Sequence, residues 1–241
     1  MTAFLFGPDG RRLYGYHHPP ANHSLRGVVV CPPWGAEYEY AHRSLLVLAR
    51  RLAGVGLHVL RFDYSATGDS YGDSDEADLD RWVDDTDAAV EELRAMSGVE
   101  EVDLVGLRIG GVVAARTAPR RPDTRRLVLW DPIRDGSRWV ADLGGVEAGR
   151  DETVELGRYT VSPAFVDQLH ALAPTVYDRL AAHDTLLLTT GTRHPDPEPR
   201  TGQNQIEYRT LDQPRPWIED QSIWAGQVPM ESIDHIVEWL T

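Results

Sequence analysis

The segment with the clearest chemical potential is a Gly-x-X-x-Gly turn that carries an arginine at its centre. It reads Gly106-Leu107-Arg108-Ile109-Gly110 and is predicted to join a buried strand to a helix. When the central residue is serine, small residues on both sides let the chain reverse sharply and hold a nucleophile above the sheet. A guanidinium stays protonated in proteins and cannot attack a carbonyl. The turn therefore predicts a site without nucleophilic catalysis at this position.

Two orientations of Arg108 follow from its surroundings in the sequence. A helix beginning at Ile109 presents free N–H groups and a favourable dipole to an anion. If Arg108 points towards that helix end, the site suits a carboxylate or an enolate. If it folds back onto Glu37 or Asp131, it forms a buried ion pair that fixes the scaffold. Both orientations stay open from the sequence.

Two other side chains come into question as nucleophiles. Cys31 ends a predicted strand next to Pro32-Pro33 and faces the predicted pocket. Cysteines in strands are mostly inert small hydrophobes, which makes this a minor alternative. Ser65 is interpreted as a turn residue.

The elements that must position these residues alternate between strand and helix. Buried apolar runs predict strands, and apolar residues at helical spacing predict helices. This alternation implies a mostly parallel α/β sheet with helices on both faces and ligands at the carboxyl ends of its strands. The predicted strands are 27–31, 58–62, 102–105, 126–130 and 185–189, after a hairpin of 3–6 and 12–17, and the predicted helices are 45–53, 79–96, 109–117, 163–172 and 230–240.

The strand rhythm stops between Asp131 and Asp184. In an α/β sheet this is where a lid is inserted over the site, so residues 133–183 are predicted to be a lid segment. The alternative is a long structural excursion. No Pro/Gly/Ser-rich linker divides the chain, and residues 1–241 are expected to form one domain.

Composition narrows the partners. The 241 residues carry a formal net charge of −14, which gives no basic footprint for nucleic acid. No targeting segment and no membrane span is evident, and a lone cysteine fits a reducing compartment, so a cytoplasmic protein is expected. The acidic run from Asp69 to Asp87 is interpreted as solvated helix-start carboxylates, and no metal or cofactor is expected. A homodimer is compatible with the sequence, which does not decide the oligomeric state.

Several motifs are spread over most of the chain. They are Pro32-Pro33 with Glu37 and Arg43, Arg61-Phe-Asp-Tyr64, Thr67-Gly-Asp-Ser70, Trp82 with Asp85, the turn around Arg108, and Leu129-Trp-Asp-Pro132 with Gly136. Together they resemble the α/β-hydrolase superfamily, and within it the exosortase-associated and serine-aminopeptidase-like hydrolases. The resemblance implies one α/β-hydrolase-fold domain with a short lid. It also implies oxyanion donors at the N–H of Ile109 and at an N–H near Trp34 or Gly35.

The chain departs from this family at the catalytic histidine. The resemblance places that histidine in the loop before the last helix, where Asp220 to Pro229 contains none and Ser222 or Trp224 stands near its place. His235 is interpreted as an exposed residue of the last helix. Asp196, beside His194, is the candidate third triad member, but without a nucleophile and a base it has nothing to orient.

These observations predict a non-hydrolytic enzyme that stabilises an enolate and epimerises or isomerises a carboxylate-bearing, peptidic natural-product intermediate. In what it lacks, the chain is similar to the peptide epimerases of bottromycin biosynthesis, which have this fold without a working triad. One alternative is a binding protein for an anionic metabolite, and another is a hydrolase that uses water or Cys31. The predicted ligand-binding residues are Pro33, Trp34, Gly35, Glu37, Arg108, Asp131 and Trp224.

Overall fold

The computed structural model describes residues 1–150, 152–177, 180, 184–191, 206–218 and 227–241. The strands are β1 (Thr2–Phe6), β2 (Leu13–His18), β3 (Arg26–Cys31), β4 (His58–Phe62), β5 (Glu101–Leu107), β6 (Arg126–Trp130), β7 (Val146–Ala148), β8 (Val154–Leu156), β9 (Tyr159–Val161), β10 (Asp184–Thr190) and β11 (Ile206–Leu211). The helices are α1 (Ala36–Gly54), α2 (Leu79–Ser97), α3 (Ile109–Thr117), α4 (Gly136–Asp142), α5 (Pro163–His170) and α6 (Met230–Leu240).

Among the described residues, eight strands form the central sheet in the order β1-β2-β4-β3-β5-β6-β10-β11. Strands β1 and β2 form the predicted antiparallel hairpin, and β2 pairs antiparallel with β4. The remaining neighbours pair parallel. This architecture confirms the predicted α/β fold class, and it brings the carboxyl ends of β3, β5, β6 and β10 to one edge of the sheet.

Two hydrophobic cores cover the two faces of the sheet. Alternate residues of the central strands serve opposite faces, as the strand repeat requires. Leu104 packs with α2 and α3, while Val105 packs with α1 and α6. Because both faces are covered, the central strands are apolar nearly throughout, which is why they could be predicted as buried runs.

Helix α1 corrects the prediction of a helix that starts at residue 45. It starts at Ala36. The first two turns were missed because they carry no apolar stripe. Tyr38, Tyr40 and His42 stand there instead of leucines. Glu37 and Glu39 lie in the first turn, where the helix dipole favours carboxylates.

Strand β11 was not predicted from the sequence. It pairs parallel with β10 at the edge of the sheet, and its residues are exposed or only partly buried. An edge strand does not need the continuous apolar run that marks a central strand. Its short alternating pattern is therefore weak in the sequence.

The segment between β6 and β10 contains more structure than the single predicted helix. It holds α4, the antiparallel sheet β7-β8-β9 and α5. Gln168 ties this segment to the start of α2, because its Oε1 accepts from the N–H of Leu79 at 2.9 Å and its Nε2 donates to Asp78 at 2.9 Å. Its function as a lid stays a prediction.

Candidate functional site

The turn between β5 and α3 has the geometry of a sharp elbow. Arg108 has φ 56° and ψ −120°, a positive-φ backbone conformation that residues other than glycine rarely adopt. A Cβ on Gly106 would lie 2.2 Å from the carbonyl oxygen of Gly110, and a Cβ on Gly110 would lie 2.2 Å from that of Cys31. Backbone atoms cannot yield at such distances, so both positions require glycine.

The side chain of Arg108 folds onto Glu37, one of the two orientations left open by the sequence. Its Nε donates to Glu37 Oε1 at 3.0 Å, and its Nη2 lies 2.9 Å from the same oxygen. Its Nη1 donates to the backbone carbonyl of Asp131 at 3.1 Å. Only 12% of the Arg108 side chain is exposed. The guanidinium is thus held by an ion pair and by a backbone carbonyl.

Glu37 is bound through one of its two oxygens. Oε1 receives Arg108 and also the indole N–H of Trp139, at 3.1 Å. Oε2 is buried, and no residue in the described part of the chain donates a hydrogen bond to it. Helix α1 places Glu37 here because Gly35, with φ 65°, turns the chain from β3 into the helix. Sequence analysis missed Trp139, which lies in the insertion and has no local motif.

Asp131 follows β6 but does not contact Arg108 through its carboxylate. Its Oδ1 accepts from the N–H of Thr190 at 2.7 Å, and its Oδ2 accepts from the Thr190 hydroxyl at 2.5 Å. Burial raises the pKa of Asp131 above its ordinary value, against the lowering effect of the Thr190 hydrogen bonds. Its side chain therefore fixes the ends of β6 and β10 to each other, and only its backbone oxygen contacts the arginine.

Aromatic residues of the insertion cover the start of α1. The ring of Trp34 packs against Trp139 at 6.3 Å, Tyr159 at 4.9 Å and Phe165 at 5.4 Å between centroids. A Cβ on Gly35 would lie 3.1 Å from the Tyr159 ring. Pro33 is also buried. The segment between β6 and β10 therefore forms an apolar wall beside the Arg108–Glu37 pair.

The elbow also orients backbone donors. The N–H of Arg108 donates to the carbonyl of Trp130 at 3.0 Å, and that of Gly111 donates to the carbonyl of Arg108 at 3.0 Å. Ile109 is the first residue of α3, where backbone N–H groups have no partner within the helix. The predicted oxyanion donors at Ile109 and Trp34 stay predictions.

The structure argues against Cys31 as a nucleophile. Its side chain is fully buried, its Sγ lies 4.0 Å from the Thr86 hydroxyl, and burial raises its pKa to about 12. Because the thiolate is the reactive form, this thiol is inert near neutral pH. Ser65 has the structural role that was predicted, since its N–H and hydroxyl both donate to Asp85 Oδ2, at 2.8 Å and 2.6 Å.

No candidate histidine reaches the elbow from the described part of the last helix. His235 was predicted to be exposed, but only 22% of its side chain is exposed, and its Nε2 lies 3.8 Å from Glu207. Glu207 is near the start of β11, at the edge of the sheet opposite the elbow. The unpredicted strand β11 thus places a carboxylate next to the ring. His194, Asp196, Ser222 and Trp224 lie outside the described residues.

Within the described ranges, no group of three or more His, Cys, Asp or Glu residues is placed to hold a metal ion. In the same residues, no helix is long and apolar enough to cross a membrane.

Comparisons with known proteins agree with this geometry. Residues 37–144 match the serine aminopeptidase (S33) family model, which is less than half of the chain. An uncharacterized protein of Mycobacterium tuberculosis (strain H37Rv) is 34% identical over 141 residues, or 57% of this chain and 46% of that protein. The chain thus spans about half the length of the curated relatives it matches.

Solved structures match almost the whole chain at low identity. Est1E from Butyrivibrio proteoclasticus, solved with ferulic acid bound, has a TM-score of 0.70 and 16% identity over 97% of both chains. Mouse alpha/beta hydrolase domain-containing protein 10 has a TM-score of 0.63 and 15% identity over 100% of both chains. The chain has the α/β-hydrolase fold. The narrower resemblance to exosortase-associated hydrolases stays a prediction.

Proposed function

We propose that the protein is a non-hydrolytic enzyme that moves a proton next to a carbonyl group. Its ligand would be a carboxylate-bearing, peptidic natural-product intermediate, and the reaction an isomerisation or an epimerisation. The observation that carries this proposal is the Arg108–Glu37 pair at the position of the hydrolytic nucleophile. A cation and a carboxylate side by side suit proton transfer and charge stabilisation, whereas neither is a nucleophilic serine.

Arg108 keeps donors for a ligand. A guanidinium has five N–H donors in a fixed fork. The contacts with Glu37 and Asp131 involve Nε, one N–H of Nη2 and one N–H of Nη1. One N–H on each terminal nitrogen is left by these contacts. Together with the Ile109 N–H, they could stabilise the oxygen of an enolate, where a single preorganised donor contributes about 3 kcal/mol.

The proposed reaction is tested by incubating the protein in deuterium oxide with a panel of carboxylate-bearing peptides. An enolate intermediate should add one deuteron to the ligand and yield a new isomer, both visible by mass spectrometry coupled to chromatography. Cys31→Ala should leave the rate intact. Neither exchange nor a new isomer across the panel would contradict the proposed function.

The absence of hydrolysis is tested separately. A fluorophosphonate probe should label no serine, and activated esters should not be cleaved above the background rate, because no serine stands at the elbow. Stoichiometric labelling of a serine would show that the protein is an ordinary hydrolase.

Binding without turnover is the second candidate. It is favoured by the insertion that packs against Trp34 and by the N–H groups that Arg108 keeps beyond its contacts with Glu37 and Asp131. A ligand carboxylate on Arg108 would be lost in Arg108→Ala, weakening binding by roughly one to two decades, since such a hydrogen bond contributes about 1.5 to 3 kcal/mol. Calorimetry with the same peptides measures this. Tight binding with no deuterium uptake would favour this candidate.

A further inference from the structure

We propose that Glu37 is the proton acceptor of the elbow site, with Oε2 taking the proton while Arg108 holds Oε1. This inference rests on the proposed function and assigns the base that it requires. It differs from the expectation that the ligand's own carboxylate takes the proton.

The first argument is the one-sided way in which Glu37 is held. Arginine and carboxylate commonly pair through two parallel hydrogen bonds that use both carboxylate oxygens. Here Nε and Nη2 of Arg108 both lie against Oε1, at 3.0 Å and 2.9 Å, and the Trp139 indole adds a third donor at 3.1 Å. All the contacts orient the carboxylate, and none uses Oε2.

The second argument is the cost of leaving Oε2 without a donor. The oxygen is buried, and only 7% of the Glu37 side chain is exposed. A buried charged group without its hydrogen bond costs more than the 1 to 3 kcal/mol typical of a neutral one. Other buried side-chain atoms of the described residues also lack a partner, among them Asp85 Oδ1, but Glu37 Oε2 is the one whose residue pairs with Arg108. Catalysis is one reason for a native structure to keep such an atom. Because this oxygen is also closed to a ligand, a carbon acid reaches it only by displacing the side chains that cover it.

The third argument is the comparison with Asp131, the other carboxylate at the elbow. Both of its oxygens accept hydrogen bonds from Thr190, at 2.7 Å and 2.5 Å. Each of its oxygens thus accepts a hydrogen bond that joins two strand ends. Of these two carboxylates, only Glu37 keeps an oxygen for a ligand.

The proton transfer balances without a co-reactant. The C–H bond next to the carbonyl breaks, and its proton forms an O–H bond with Oε2. The C–H electron pair becomes the carbon–carbon double bond, and the carbonyl π pair moves onto oxygen, beside the remaining N–H groups of Arg108. Protonation of the enolate by water on its other face gives the epimer, and Glu37 releases its proton to solvent.

The test uses 5-nitrobenzisoxazole, a carbon acid that opens when a base removes its C3 proton. The N–O bond breaks as the proton leaves, and the product is a coloured cyanophenolate. The full chain should accelerate this opening above the rate with free acetate. Glu37→Gln should lower the rate by at least about 100-fold, because general-base catalysis contributes typically 10²–10⁴-fold. A Glu37→Gln protein that is as fast as the wild type would overturn the inference, and so would a wild type no faster than acetate.

Glu101→Gln is the matched control. Glu101 also pairs with an arginine, since its Oε2 lies 3.1 Å from Arg125, but it is exposed at the opposite end of β5. Its substitution should leave the elimination rate unchanged. A loss equal to that of Glu37→Gln would place the base elsewhere and overturn the inference.

A second variant covers a failure of Glu37→Gln to fold. Glu37→Asp keeps the charge for Arg108 but withdraws the carboxylate by one methylene, so the protein should fold and the rate should fall. A folded Glu37→Asp protein with the wild-type rate would overturn the inference. Elimination that depends on Glu37 without deuterium uptake by any peptide would support the base and contradict the proposed function, so the two failures are distinguishable.

Discussion

The two ends of β5 each hold an arginine–carboxylate pair, and the two pairs are built differently. Near the start of β5, Asp103 faces Arg26 of β3, with Asp103 Oδ2 3.3 Å from the guanidinium. Just beyond the end of β5, Arg108 faces Glu37 of α1. We call these the strand-start pair (Arg26 and Asp103) and the elbow pair (Arg108 and Glu37).

In the strand-start pair, both carboxylate oxygens have donors, although the Nε of Arg26 is buried without a partner. Asp103 Oδ2 receives Arg26, and its Oδ1 accepts from the N–H of Arg126 at 3.0 Å. Arg26 also donates to the carbonyl of Leu240 at 2.5 Å, and Arg126 donates to that of Trp239 at 2.9 Å. The last carbonyls of a helix have no partner within it, so these arginines satisfy the end of α6.

The elbow pair leaves a buried oxygen without a donor, at the edge of the sheet where this fold binds ligands. The comparison teaches that the presence of a buried ion pair does not by itself indicate function. What separates the two ends is whether both oxygens of the carboxylate have a donor, since proteins accept local conflicts mainly at functional sites.

The largest expected difference between the two ends concerns their glycines. Gly106→Ala should cost more than about 4 kcal/mol or prevent folding, because its Cβ would lie 2.2 Å from the backbone oxygen of Gly110. Gly27→Ala, next to the strand-start pair, should cost about 1 to 3 kcal/mol, because its Cβ would meet a movable side-chain atom of Leu93 at 2.9 Å. Urea denaturation followed by circular dichroism measures both. Equal losses would mean that the elbow backbone can relax.

Breaking the strand-start pair should have the next largest effect. Asp103→Ala should lower the free energy of unfolding by about 3 kcal/mol, because Arg26 and the N–H of Arg126 lose a buried acceptor. Urea denaturation gives the value. The control is Glu101→Gln, whose exposed ion pair should contribute less than about 1 kcal/mol. If Asp103→Ala lowers the free energy of unfolding no more than this control does, the strand-start pair has no structural role.

Removing both charges of the elbow pair should change stability little. In Glu37→Leu with Arg108→Leu, apolar packing replaces an imperfect buried pair, which is often neutral or stabilising. Trp139 loses its acceptor, a cost of about 1 kcal/mol, so the net change should lie within about 1 kcal/mol of zero. Urea denaturation of this double variant measures the change. A loss of stability as large as that of Asp103→Ala would show that the elbow pair stabilises the fold as the strand-start pair does.

The smallest expected effect is a pH dependence that both ends share. Burial raises the pKa of Asp103 and of Asp131 above the ordinary 3.8. The folded state therefore binds more protons than the unfolded chain above about pH 4, and each group makes stability fall as pH rises through its folded-state pKa. Asp103→Asn and Asp131→Asn should each flatten this fall in urea denaturation across that range. A steeper fall in either variant would contradict the sign.

The sequence by itself determined the central strands of the sheet and the elbow. Buried apolar runs such as Val28 to Val30 predicted the central strands, because a strand covered on both faces must be apolar throughout. The glycines at 106 and 110 predicted the elbow, since local backbone crowding alone requires them. An arginine at position 108 likewise excluded a serine nucleophile without any structure.

Only the tertiary structure decided where Arg108 points and what Glu37 does. Glu37 is 71 positions away from Arg108 and Trp139 is 102 positions away from Glu37, so no local pattern links them. Strand β11 and the start of α1 were missed because neither carries a continuous apolar signal. Glu37, Arg108 and Trp139 lie in three separate parts of the fold. Which donors reach the Glu37 carboxylate, and which of its oxygens keeps no donor, therefore depends on the tertiary structure.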